Sequence, residues 1–399
     1  MAAILGALST NRKWQSSHVN LRIRNQNSIK MILMGSEPPL EPMSAYTLVE
    51  RPNTISADLN RHDCIGVDTE FMREKTFFAE LCLIQIATND DIYCIDPLAS
   101  DAMRSFWESA TDRIWVVHSA RQDIEVVYQT SQLMPKRIFD TQIAAGLLGY
   151  APQLGYANLA SELFGVEIAK SHTRADWSKR PLTDALLQYA AEDVEYLLPA
   201  YNALAERLDR QSRLAWAEED SARLLSPDLY DIDPRLAIDR LKGARNLRGQ
   251  RRSAAAGLAT WRESQALRSN CPRQWVARDS VLIDLAFKLP ASIEELQAIE
   301  GLAPGLIRRA GKTIIEIIAL SDADDDHYKP PAVPDEAQKV LLKKMQNHVA
   351  ECAADLGLAA ETLASKKDLS GVIMSGAQDS RLLNGWRHEV IGEQILKLL

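Results

Sequence analysis

Two acids stand two residues apart in IGVDTEF, residues 65–71: Asp68 and Glu70 lie in an apolar run that enters at Ile65 and closes at Phe71. Side chains alternate between the faces of a strand, so residues i and i+2 point the same way. Two carboxylates side by side on a segment that reads as buried repel each other and resist desolvation. A solvated strand end is the plain resolution. A divalent cation is the chemical one, because hard Mg²⁺ or Mn²⁺ takes oxygen ligands and makes paired acids an asset. Two further acids fit the second answer. Asp123 in HSARQDIEVV follows the apolar run IWVVH and falls in the early turns of a predicted helix. An acid there also complements a helix N-terminus without any ligand role. His118, at the end of the same run, reads as a satisfied strand-end histidine. Asp193 in RPLTDALLQYAAEDVEYLLPAY comes four residues after Tyr189. The pair stacks on one helix face beside the apolar stripe Leu186, Ala190, Val194 and Leu197, while Glu192 and Glu195 fall elsewhere. The alternative for Asp193 is capping a neighbouring helix or pairing with an arginine. Asp140 in IFDTQIAA reads as a helix N-cap.

Together, Asp68, Glu70, Asp123 and Asp193 can hold two divalent ions roughly 4 Å apart, the spacing of two-metal phosphodiester chemistry. One ion activates a water and the other stabilises the leaving 3′ oxygen, and both neutralise charge growing on the phosphate. Tyr189 falls near the attacking water. With an ordinary pKa of about 10 it is a poor base at neutral pH, so orienting the water is its expected role.

Such a site needs a scaffold that gathers residues far apart in the chain. Ordered sequence is expected from about Tyr46. Strand-like runs follow at CIGVDTEF, ELCLIQIA (80–87) and IYCID (92–96), the last two joined by the turn signal TNDD as a hairpin. A polar helical stretch carrying Phe106 and Trp107 leads to a fourth strand, IWVVH (114–118), a helix over 120–130, and helical segments to about Arg213. Pro181 suits a first helical turn and Pro199 the end of its segment. Strands first, with helices interleaved later, predict an α/β fold: a mixed sheet covered by helices. Two linkers, SPDLYDIDPR (226–235) and SDADDDHYKPPAVPDE (321–336), set off helical segments over 236–320 and 336–399. A faint echo, QWVARDSVLIDLA (274–286) against ETLASKKDLSGVI (361–373), suggests two copies of one small helical domain.

The chain of 399 residues has a net charge of −8, which argues against a protein coated in nucleic acid but allows one basic face. Residues Asp239–Arg273 supply one, with nine Lys or Arg against two acids; Lys242, Arg245, Arg248, Arg251 and Arg252 crowd its start. A solvated helix face is the alternative. Five cysteines without a CxxC fit free thiols and a cytoplasmic protein. No apolar run has the length of a membrane helix. The first 36 residues lack Asp and Glu and carry five Lys or Arg. A mitochondrial presequence can look like that, but a disordered tail or a start codon placed too far upstream is the expectation for residues 1–45.

DTEF, the Asp of HSARQD, and YAAED, in that order, resemble the three exonuclease motifs of the DEDD superfamily in its tyrosine-bearing DEDDy branch. Over most of residues 46–215, FFAELCLIQIA, IDPL, FDTQIAAGLLGY and KSHTRADWSKRPLT resemble the ribonuclease D family. The resemblance implies an RNase H-like α/β domain over 46–225 and 3′→5′ removal of nucleotides from RNA, with tRNA 3′ ends the usual substrate. It implies Asp68, Glu70, Asp123 and Asp193 as ligands of two divalent cations and Tyr189 as the water-positioning residue. KSHTRADW adds Lys170 and Arg174 for phosphate and Trp177 for stacking on a base, unless Trp177 is core and the basic residues are solvated. Residues 236–320 resemble an HRDC domain, a module thought to hold nucleic acid near an active domain, and 336–399 looks like a second, diverged copy without an assigned RNA contact. A monomer is expected. The competing readings are a DNA 3′→5′ exonuclease of the same superfamily and a non-catalytic RNA-binding relic; no P-loop for a helicase motor occurs.

Overall fold

A computed structural model describes residues 45–100, 103–169, 175–322, 334–376 and 380–399. Six strands form one mixed sheet in the order β1-β4-β3-β2-β5-β6: β1 Tyr46–Val49, β2 Cys64–Met72, β3 Glu80–Ala87, β4 Ile92–Ile95, β5 Ile114–Val117 and β6 Arg137–Asp140. The pairs β2·β3 and β3·β4 are antiparallel; β1·β4, β2·β5 and β5·β6 are parallel. The expected hairpin joins β3 to β4, its turn closed by Thr88 N–H on Asp91 O at 2.9 Å. Both edge strands go beyond the sequence reading, which began the sheet at β2 and read Asp140 only as a cap.

One face of the sheet packs on helices α1 (Arg104–Thr111) and α2 (Arg121–Ser131), through Ile65, Val67, Phe106, Trp115 and Ile124. After β6 come α3 (Thr141–Leu147) and α4 (Tyr156–Phe164). The other face packs on α5 (Asp184–Glu195) and α6 (Leu197–Arg210), through Leu83, Val116, Leu187, Ala190 and Val194. The sequence places the boundaries of α5 imperfectly. Its N-cap is Thr183, whose hydroxyl accepts from Leu186 N–H at 3.3 Å, and the helix breaks at Tyr196. Pro199 falls in the first turn of α6, where its missing N–H costs nothing, rather than ending the segment. Gly66 lets α6 approach β2: a Cβ there would meet Leu197 Cβ at 3.1 Å and Ala87 Cβ at 3.3 Å. Gly66→Ala is therefore expected to cost about 1–3 kcal/mol of stability, read by urea unfolding. An unchanged midpoint would mean that α6 shifts freely.

After α7 (Leu214–Ala222), residues Ala237–Ile318 close a core of their own on α8 (Gly249–Arg268), α9 (Asp279–Lys288) and α10 (Pro304–Ala319). The C-terminal helices α11 (Glu336–Leu356) and α12 (Lys366–Ser375) instead share one apolar core with α3, α6 and α7. The two segments repeat a pattern. A long helix, α8 or α11, is followed by a four-residue helix, Arg273–Val276 or Ala360–Leu363, and then by a ten-residue helix, α9 or α12.

Candidate active site

Strand β2 delivers Asp68 and Glu70 from its C-terminal half, where a bulge against β3 falls between Glu70 and Phe71. Bulges re-aim side chains beside functional sites. The α5 helix brings Asp193 and Tyr189 over the same edge, and ligand oxygens of Asp68, Glu70 and Asp193 come within 4.8 Å of one another. These residues line a pocket of about 250 Å³ together with Tyr189, His118, Tyr156 and Leu197. Tyr189 hydrogen-bonds the Asp193 carboxylate. The fourth acid, Asp123, arrives in the first turn of α2 from the opposite face of the sheet. It is buried, and Thr69 Oγ1 donates to its Oδ1 at 2.6 Å. Asp123 stands outside the three-acid cluster but close enough to act electrostatically on both Asp68 and Glu70.

The electrostatics are those of clustered, buried acids. Burial, then Asp123, Asp193 and Glu70, hold Asp68 well above the carboxylate range. Burial, then Asp193 and Asp123, push Glu70 up to about 8. Burial also raises Asp123 and Asp193, against the hydrogen bonds from Thr69 and Tyr189. Among the described residues no lysine or arginine lines the pocket. His118 cannot serve as a ligand here, because Nδ1 pairs with Thr141 Oγ1 at 2.9 Å and Nε2 with Leu154 O at 2.8 Å. What remains is an all-carboxylate donor set of clustered acids, which suits hard divalent cations.

Asp140 caps α3, accepting from Gln142 and Ile143 N–H, and also accepts from Ser119 and Ala120 N–H at the start of α2. Trp177 corrects the stacking expectation. It is 2% exposed, with its ring centroid 6.3 Å from that of Tyr189, so no face is left for a base. Arg180 explains why: it forks onto Asp96 at 2.6 and 2.7 Å and donates to Cys82 O and Trp177 O, pulling this loop against β3. Lys170 and Arg174 lie outside the described residues. In the helical segment Lys242, Arg245, Arg248 and Arg251 are exposed and Arg252 is half-buried. Arg248 and Arg252 bond the Leu247 carbonyl, and Arg251 lies over the Phe287 ring at 3.9 Å. Sequence reasoning missed Thr69 and Tyr156. Tyr156 donates to Glu192 O and accepts from Tyr196 N–H, pinning the end of α5. Only Thr69 left a signal, as the residue between the paired acids.

Two family models match the chain: a 3′-5′ exonuclease over residues 46–209 and an HRDC domain over residues 252–318. Ribonuclease D of Acidiphilium cryptum is 36% identical over 367 residues, covering 88% of this chain and 92% of the relative. Ribonuclease D of Pseudomonas paraeruginosa is 36% identical over 348 residues, covering 84% and 92%. Among solved structures, Escherichia coli RNase D, described as an exoribonuclease involved in structured RNA processing, matches with a TM-score of 0.80 at 26% identity, covering 89% of this chain and 98% of that one.

Proposed function

The chain belongs to the ribonuclease D family and is a 3′→5′ exoribonuclease; on that premise we propose that it trims tRNA precursors from the 3′ end by two-metal-ion hydrolysis. The observation that carries the mechanism is the convergence of Asp68, Glu70 and Asp193 within 4.8 Å beside Tyr189. In this reading the three clustered acids, with Asp123, hold two Mg²⁺ or Mn²⁺ ions. When bound, the ions supply Lewis acidity toward the scissile phosphate and the attacking water. Thr69 fixes the Asp123 carboxylate through its hydrogen bond. Tyr189 orients the water by accepting from it, its own O–H being given to Asp193. Burial and the neighbouring acids raise its pKa, so it stays a phenol and takes no proton. Tyr189→Phe is therefore expected to lower the rate about 10–100-fold without moving the acid limb of the pH–rate profile. A shift of that limb would make the phenol a base.

The exposed basic run into the start of α8, with Lys242 and Arg245 before the helix and Arg251 in its first turn, is read as a phosphate-contacting patch that supports single-stranded RNA without regard to sequence. Reversing these three to Glu should reduce the slope of log affinity against log salt by about 3; an unchanged slope would mean a solvated face. The C-terminal helices are read as a second, diverged HRDC-like domain, on the repeated order of long, four-residue and ten-residue helices. No helix among the described residues is long and apolar enough to cross a membrane; a cytoplasmic monomer fits this reading.

The test is a tRNA precursor with a 3′ trailer, incubated with Mg²⁺, Mn²⁺ or EDTA beside a generic single-stranded RNA and a DNA copy. Metal-dependent shortening of the trailer is the expected result. Degradation of the generic RNA with the trailer left intact would remove the tRNA assignment.

A further inference from the structure

At the C-terminal end of α8 lies a groove of about 640 Å³, lined by Trp261, Arg268, Cys271, Trp275 and Arg309 among others. Trp275 is 66% exposed, an unusual state for the largest aromatic side chain. Arg268 and Arg309 are exposed, and among the described residues they form no ion pair and no carboxylate lines the groove. A flat aromatic surface beside two uncompensated guanidiniums is the chemistry that holds a single strand: a base stacks on the ring and phosphates meet the arginines.

Position strengthens the case. The turn that lines the groove at Cys271 also ties this helical segment to the catalytic sheet. Asn270 Oδ1 accepts from the N–H groups of Phe77 and Phe78, both at 3.1 Å, and the Arg273 guanidinium lies 4.5 Å from the Phe77 ring centroid. Phe77 and Phe78 stand in the connection between β2, which carries Asp68 and Glu70, and β3. Arg273 is itself held by Glu263, a fully buried acid of α8 that Arg240 also meets. Arg251, in the basic start of α8, is seventeen residues from Arg268, about 25 Å at the helical rise. The end of α8 that abuts the catalytic domain is thus the groove end, not the end with the denser charge.

We propose that the groove formed by Trp275, Arg268 and Arg309 is a binding subsite for single-stranded RNA upstream of the 3′ end, held in line with the catalytic strand by the Asn270–Phe77 contact. It rests on the exoribonuclease reading and extends it: the salt-dependent patch supplies general affinity, while the groove makes catalysis depend on substrate length.

The full-length chain is compared with Trp275→Ala, Trp275→Phe and Arg309→Glu. Trp275 and Arg309 are exposed, so folding is expected to survive, and circular dichroism checks it. The first readout is anisotropy of a labelled 20-nucleotide oligouridylate in EDTA, which needs no turnover. Trp275→Ala and Arg309→Glu should weaken binding about tenfold, and Trp275→Phe should restore most of it. The second is the ratio of kcat/KM for the 20-mer over a tetramer with Mn²⁺, which should collapse toward one in both damaging variants. Unchanged affinity and an unchanged ratio in Trp275→Ala overturn the subsite. So does equal competition by duplex RNA, or a shift from dimer to monomer in sedimentation with RNA affinity intact, which would make Trp275 a protein interface. If the unsubstituted chain binds the oligomer through Trp275 but hydrolyses no RNA, the catalytic reading fails and the subsite stands.

Discussion

Asp68→Asn and Asp193→Asn each lower 3′-end hydrolysis by about 10³-fold, and each melts about 2–4 °C higher than the unsubstituted chain in EDTA at pH 8. The two effects have one cause. Asp68, Glu70 and Asp193 place ligand oxygens within 4.8 Å of one another, and among the described residues no lysine or arginine lines the pocket. An acid whose pKa is higher folded than unfolded supports the fold below its unfolded value and loses that support as pH rises through the folded one. For Glu70 the window runs from its ordinary 4.5 to about 8. At pH 8 the cation-free fold therefore bears most of the cost of burying these acids beside one another, first from desolvation and then from repulsion, and an asparagine of the same shape removes part of it. A divalent cation relieves the same repulsion, so Mn²⁺ should raise the melting temperature of the unsubstituted chain, more at pH 8 than at pH 5, and raise that of Asp193→Asn less. Scanning fluorimetry with EDTA and Mn²⁺ reads all of this. If Asp193→Asn melts lower in EDTA, the acids are not repelling one another and the cation site loses its physical basis.

Why these acids were legible and other features were not follows from how far each signal reaches along the chain. Asp68 and Glu70 at strand spacing, and Tyr189 and Asp193 at helix spacing, announce a shared face within five residues, and the structure brings both pairs to one pocket. Asp123 was legible as a helix-start acid, but its hydrogen bond to Thr69, which ties α2 to β2 across 54 residues, was not. The edge strand β1 escaped because its partner lies at Ile92–Ile95 and its four residues show no period of their own. Trp177 was placed on the RNA because an aromatic beside basic residues suits either role; the Arg180–Asp96 fork, spanning 84 residues, decides for the core. The docking of the C-terminal helices on the catalytic domain was likewise invisible, since its polar centre joins residues 167 apart.

That centre carries the second large effect: Arg387→Ala should destabilise the protein by about 3–5 kcal/mol. Arg387 is 2% exposed, forks onto Asp220 of α7, and also donates to Leu363 O at 3.0 Å and Thr362 O at 2.8 Å. Trp386 stacks on Trp216 at 4.3 Å and donates its indole N–H to Asp220 at 3.2 Å. Removing the guanidinium leaves Asp220 charged, largely desolvated and served by one neutral donor, which is the expensive way to break such a pair. The double variant Arg387→Met with Asp220→Leu removes both charges and should recover much of the loss, so urea unfolding of the single and double variants separates charge from packing. Damage should also reach the active site. Ser221, next to Asp220, accepts the Asp140 N–H at 3.1 Å, and Asp140 accepts from Ala120 at the start of the helix that carries Asp123. Loosening α7 therefore slackens the seat of one of the acids, and Arg387→Ala should need more Mn²⁺ for half-maximal hydrolysis. An unchanged urea midpoint would show that the apolar core alone holds the C-terminal helices in place. An unchanged Mn²⁺ requirement in a destabilised variant would confine the ion pair to stability.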